Sequence, residues 1–161
     1  MIRRVVDTNV CIVANGRNTN ASIACRLATV EFLNLLMRRG RAVLDVGGEI
    51  QEEYRRYLRP SGQPGVGDRF FQVIMNSAPS RVERVHLQTD PATGEYLDFP
   101  EAAALVGFDR SDRKFAAAAR KAGAPVANAV DGDWLEHIAA LTAANISVQF
   151  VCGCDSANWF D

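Results

Sequence analysis

MIRRVVDTNV, residues 1–10, sets a strand-like apolar run that ends at Val6 against an abrupt polar stop at Asp7, Thr8 and Asn9. Val5 and Val6 ask for a strand buried inside a sheet. An ionised aspartate at the end of such a strand is costly unless it is paired, hydrogen-bonded or bound to a metal. The rest of the chain must supply that partner.

Working outward, residues 22–39 place Ile23, Leu27, Val30, Leu33 and Leu36 at helical spacing before Gly40 stops the run. Residues 41–44 then read as a second strand, and 49–58 as a charged helix that Pro60 ends. This βαβα order favours a parallel sheet with helical crossovers, an α/β fold. SGQPGVGD, residues 61–68, reads as a loop, followed by a short helix around Phe70, Phe71 and Ile74. Residues 82–87 alternate weakly, and TDPATGEYLDFP, 89–100, is a turn-rich connection. Order returns with an alanine-rich helix over 111–121, a strand over 125–129, a helix over 133–144 and a strand over 146–151. The expectation is one domain over 1–151, with a tail, 152–161, packing on it through Trp159 and Phe160.

The 161 residues are 48% hydrophobic and 23% charged, with a net charge of −1, so no global basic field announces nucleic acid and any such partner must be met by local charge. No apolar segment approaches the roughly 18 residues that span a bilayer, and the first residues lack a secretory core. A cytoplasmic chain with no membrane partner is expected. Cys11 and Cys25, in apolar surroundings, read as small buried thiols. Cys152 and Cys154 suggest a redox or metal pair, yet zinc needs four ligands and no second pair follows.

Four acidic clusters fall where a strand has just ended or a helix is starting: Asp7; Glu49, Glu52 and Glu53; Asp109 and Asp112; Asp131 and Asp133. In an open parallel sheet those strand ends lie along one edge, where ligand crevices form. Each cluster alone reads as helix capping. Together, several carboxylates repel one another and need a cation to stay ionised. Oxygen-only ligands suit Mg²⁺ or Mn²⁺, one or two ions, which work with substrate phosphates and can activate a water for phosphodiester hydrolysis.

At VVDTNV, EIQEEYRRYL, FDRSDRKFAAAA and NAVDGDWLEH the sequence resembles the PIN-domain nucleases over about its first 150 residues. The resemblance implies a three-layer α/β/α sandwich with a central, mainly parallel sheet and a metal-dependent ribonuclease acting on single-stranded RNA. Asp7, Glu53, Asp112 and Asp131 then look like the catalytic acids, with Asp7, Asp112 and Asp131 as metal ligands and Glu49, Asp109 and Asp133 in reserve. Thr8 and Asn9 resemble the polar residues that follow the first aspartate and hydrogen-bond a ligand, water or phosphate. Where the family often has Thr or Ser shortly before the last acid, this chain has Asn128, Ala129 and Val130. Many relatives are toxins, which makes an antitoxin protein a candidate partner, and a homodimer is implied; the length of this chain leaves a stand-alone processing nuclease open.

Arg55, Arg113 and Lys114 lie beside the acids and are read either as phosphate contacts or as ion pairs to Glu52 and Glu53. His86 and His137 need no catalytic role, and Trp134 and Trp159 read as core residues. Two further readings compete. One is a non-catalytic PIN-like module binding RNA or protein through the acidic crevice. The other is a metal-dependent phosphatase, disfavoured because Asn9 stands where that chemistry wants a second aspartate.

Overall fold

The structure is a computed structural model that describes residues 1–17, 20–77 and 79–152. Ile2–Val6 is the central strand β1, with Val5 and Val6 fully buried. Gly40–Asp45 (β2), Val82–Val85 (β3), Val126–Asn128 (β4) and Val148–Phe150 (β5) complete a five-stranded sheet in the order β3-β2-β1-β4-β5. Every pairing is parallel, with Ile2 opposite Gly40 and Val5 opposite Val126. The helices are Thr8–Ala14 (α1), Ile23–Arg39 (α2), Glu49–Tyr57 (α3), Val66–Asn76 (α4), Arg113–Ala122 (α5), Gly132–Glu136 (α6) and Ile138–Ala143 (α7).

This strand order decides where a ligand crevice opens. From β1 the chain builds outward through β2 to β3, then returns across the sheet and builds the other way through β4 and β5. With right-handed crossovers, the reversal puts α2, which packs on β1 and β2, and α5, which packs on β1 to β4, on opposite faces. The result is a three-layer α/β/α sandwich. The reversal lies between β1 and β4, so the crevice opens beyond their carboxyl ends, where Asp7 and Asp131 stand.

Several elements differ from the sequence expectation. Helix α1, rich in β-branched residues, was not foreseen; it starts immediately after β1 because the Asp7 side chain caps it and six of its seven residues are buried. On α2 the buried stripe is Cys25, Thr29, Leu33 and Leu36, while Ile23 and Leu27 of the expected face are exposed. Helix α4 begins within the expected 61–68 loop. Its Gly67 permits contact with α1: a Cβ there would stand 2.2 Å from the Cys11 carbonyl oxygen. The helix expected over 133–144 is two short helices meeting at His137.

Cys25 is bonded to Cys152, joining α2 to the end of β5 across 127 positions, which corrects its reading as a free thiol. Cys11 is the free, buried thiol among the described residues. Closing so long a loop constrains the unfolded chain, so reducing the bond, or Cys25→Ser, should lower the unfolding free energy by about 2–4 kcal/mol. Chemical denaturation with and without a thiol reductant measures it. Cys154, Trp159 and Phe160, and the packing expected of the tail, fall outside the described residues. Among the described residues no helix is long and apolar enough to cross a membrane.

Candidate metal centre

Asp7 leaves β1 as the cap of α1. Its Oδ1 accepts from the Asn9 amide at 3.1 Å and its Oδ2 from the Trp134 indole at 2.7 Å. Its own amide donates to the Ala127 carbonyl of β4, which ties the two strands at the crevice. Asp131 caps α6 and accepts from the Asp133 amide at 3.0 Å. Asp112 ends the short 3-10 turn, Arg110–Asp112, that leads into α5. Three chain segments separated by up to 124 positions thus deliver one carboxylate each to the same place.

Asp7, Asp112 and Asp131 are all buried, and each offers an oxygen within 4.8 Å of the others. Among the described residues, no lysine or arginine pairs with any of the three. The electrostatic consequence is large. Burial, then the charge of Asp131, pushes the Asp7 carboxyl up to about 7. Burial, then Asp7 and Asp131, pushes Asp112 up to about 10. Burial raises Asp131 as well. A divalent cation would replace these protons, and an oxygen-only donor set of three carboxylates fits Mg²⁺ or Mn²⁺. The trio could therefore hold such an ion.

Glu53 stands apart from the trio but lines the same cavity, about 310 Å³, with Thr8, Asn9, Ile12, Tyr57 and Ser111. Its carboxylate accepts from the Thr8 hydroxyl at 2.7 Å and is paired with Lys114. Of the reserve acids, Asp109 reaches the cavity while capping the 3-10 turn through the Ser111 amide and hydroxyl. Asp133 accepts from the Asp109 amide and faces His137. Glu49 is exposed at the start of α3 and does not line the cavity.

The polar residues after Asp7 act on the protein itself. Asn9 bonds the protein through both side-chain atoms: its Nδ2 donates to Asn128 Oδ1 at 2.9 Å, and its Oδ1 accepts from the Ala129 and Val130 amides at 2.8 and 3.2 Å. Asn128 closes the loop by accepting from the Asp131 amide and donating to its carbonyl. Asn9 and Asn128 together fix the loop that carries Asp131.

The cations beside the acids also have partners. Arg55 pairs with Glu52, while Arg113 donates to the Phe108 and Val106 carbonyls and lies 4.8 Å over the Phe99 ring. Lys114 holds Glu53 and the Ser111 carbonyl.

Trp134 is fully buried, as the sequence suggested, but its bond to Asp7 was not foreseen, because nothing in spacing links positions 127 apart. Ile12 and Tyr57 were missed too; each lies four residues, one helical turn, beyond a residue that had been singled out. No family model, curated protein or solved structure matches the chain.

Proposed function

We propose that this chain is a Mg²⁺- or Mn²⁺-dependent ribonuclease that hydrolyses phosphodiester bonds of single-stranded RNA. The observation that carries the reading is the convergence of Asp7, Asp112 and Asp131, buried and without a cationic partner among the described residues, at the reversal point of a parallel sheet. The resemblance to PIN-domain nucleases supports it from the sequence side. Those three side chains would hold the ion. When bound, such an ion polarises a phosphoryl oxygen and lowers the pKa of water that attacks it.

The chain's own residues do the rest. Trp134 and the Asn9 amide fix the orientation of the Asp7 carboxylate, and the Asn9 and Asn128 side chains hold the loop that presents Asp131. Such outer partners orient ligands and exclude alternative geometries. Glu53, set by Thr8 and Lys114 at the cavity wall, is placed to hydrogen-bond a water or substrate hydroxyl in the cavity. One observation favours the protein-binding form of the non-catalytic module: Arg55, Arg113 and Lys114 all have protein partners, leaving less free positive charge for RNA.

A substrate panel tests the reading. With Mn²⁺ or Mg²⁺ the protein should cleave labelled single-stranded RNA, and EDTA should stop it. Turnover of a small phosphomonoester without RNA cleavage would point to the phosphatase class. Metal-dependent RNA binding with no cleavage in the panel would favour the binding module.

A further inference from the structure

The acid cavity has an apolar rung. Thr8 and Glu53, joined by their hydrogen bond, lie on α1 and α3, and one turn along each helix come Ile12 and Tyr57. All four line the cavity, whose other lining residues are polar or acidic. That step of four residues rises about 6 Å along each helix axis. The cavity therefore changes from carboxylates to an aliphatic and an aromatic surface within the dimension of one nucleotide.

Tyr57 is set apart from the aromatic residues of the core. Tyr54, three residues earlier on the same helix, is fully buried, packs edge-on against Phe70 and Phe71, and donates to the Val6 carbonyl. Tyr57 is 52% exposed and has no aromatic partner among the described residues.

Its backbone, by contrast, is firmly held. Arg17 donates to the Tyr57 carbonyl and pairs with Asp68. Asp68 is fully buried and also accepts from the Arg59 amide at 2.8 Å, the Gly65 amide at 3.0 Å and Asn15 Nδ2 at 3.0 Å. Leu58, the next residue, is buried and its amide closes the helix on Tyr54. An exposed ring on a pinned backbone is a preorganised contact surface, one that loses little freedom when covered.

Resting on the nuclease reading, we propose that Tyr57, with Ile12 beside it, is the platform for a nucleobase of the single-stranded substrate whose phosphate lies at the three aspartates. Continuity with the acid cavity selects this occupant. A base next to a phosphate at the acids meets the wall of the same cavity, which Tyr57 and Ile12 line, and stacking on an aromatic face requires an unpaired base. Duplex RNA, whose bases are already stacked, does not satisfy the rung. The platform thus makes the site selective for single strands without reading sequence, because every base has a π-face.

The test is equilibrium binding of a short fluorescent single-stranded RNA, with Mn²⁺, to the wild type, Tyr57→Ala and Tyr57→Phe, with cleavage followed in parallel and folding checked by melting. Tyr57→Ala should weaken binding roughly tenfold or more, the range expected for loss of one stacked base. Tyr57→Phe, which keeps the ring, should bind like the wild type. An abasic nucleotide that removes the stacked base should bind the wild type and Tyr57→Ala equally. Unchanged binding in Tyr57→Ala, no rescue by Tyr57→Phe, or no binding to the wild type would overturn the platform. Loss of binding in Tyr57→Ala with no cleavage by the wild type would keep the platform and remove the nuclease reading, so the two fail separately.

Discussion

Asp7→Asn should abolish metal-dependent cleavage and, at the same time, raise the melting temperature of the metal-free protein. The first effect follows from removing a carboxylate of the trio. Losing an outer-shell partner typically costs 10- to 100-fold in metal affinity or activity, so loss of a ligand itself should cost at least roughly 100-fold. The second effect follows from the sign of the pKa change. The Asp7 carboxyl is held at about 7 in the fold against an ordinary 3.8, so the fold prefers it protonated. The stability this confers is complete below 3.8 and is lost as the pH rises through about 7.

At pH 8 the metal-free wild type therefore carries a buried charge worth about 4 kcal/mol. Asparagine removes the charge but keeps one acceptor where Asp7 uses two, which returns part of the gain. A net of about 2 kcal/mol corresponds to a rise of roughly 4–8 °C for a chain of this size. The gain should vanish near pH 4, and added Mn²⁺ should stabilise the wild type but not the variant. Melting curves across pH 4 to 8, with and without Mn²⁺, check it. A site that trades stability for function in this way is expected where activity needs like charges held together.

Asn9→Ala should be the most damaging of the polar substitutions to the fold. It leaves the buried Ala129 and Val130 amides without their acceptor and removes the donor to Asn128. At about 1–3 kcal/mol for each orphaned group, the loss should be on the order of 3–5 kcal/mol. With the loop before Asp131 released, Mn²⁺ affinity should fall roughly 10- to 100-fold. Denaturation and metal titration measure the two effects. Were Asn9 a contact to substrate, as its place after the first aspartate had suggested, the same variant would keep its stability and lose only substrate affinity.

That difference marks where sequence reading stops. Val5 and Val6 announced a buried strand, and the order of strands and helices around them predicted the parallel sheet, because period and punctuation are local properties. That acidic clusters would meet at one edge followed from the same logic, while the choice of Asp112 and Asp131 within their clusters came from the resemblance. Helix α1 was hidden because Val10, Ile12 and Val13 are poor helix formers and only burial against the rest of the fold selects their conformation. The start of α4 was hidden because Gly67 reads as a loop residue until its closeness to Cys11 is known. Trp134 and Asn128 serve Asp7 and Asp131 through hydrogen bonds that no spacing rule predicts. The acids were a pattern in the chain; the partners that hold them are a property of the fold.

The central claim is that the three buried aspartates form one divalent-cation site that supports RNA cleavage. Titrating Mn²⁺ into the metal-free wild type and Asp7→Asn by calorimetry at pH 7, and then assaying the same samples on labelled single-stranded RNA, tests it directly. Saturable binding with proton release in the wild type, lost in Asp7→Asn together with cleavage, is the predicted result. Binding that survives Asp7→Asn unchanged, or cleavage that proceeds in EDTA, would contradict it.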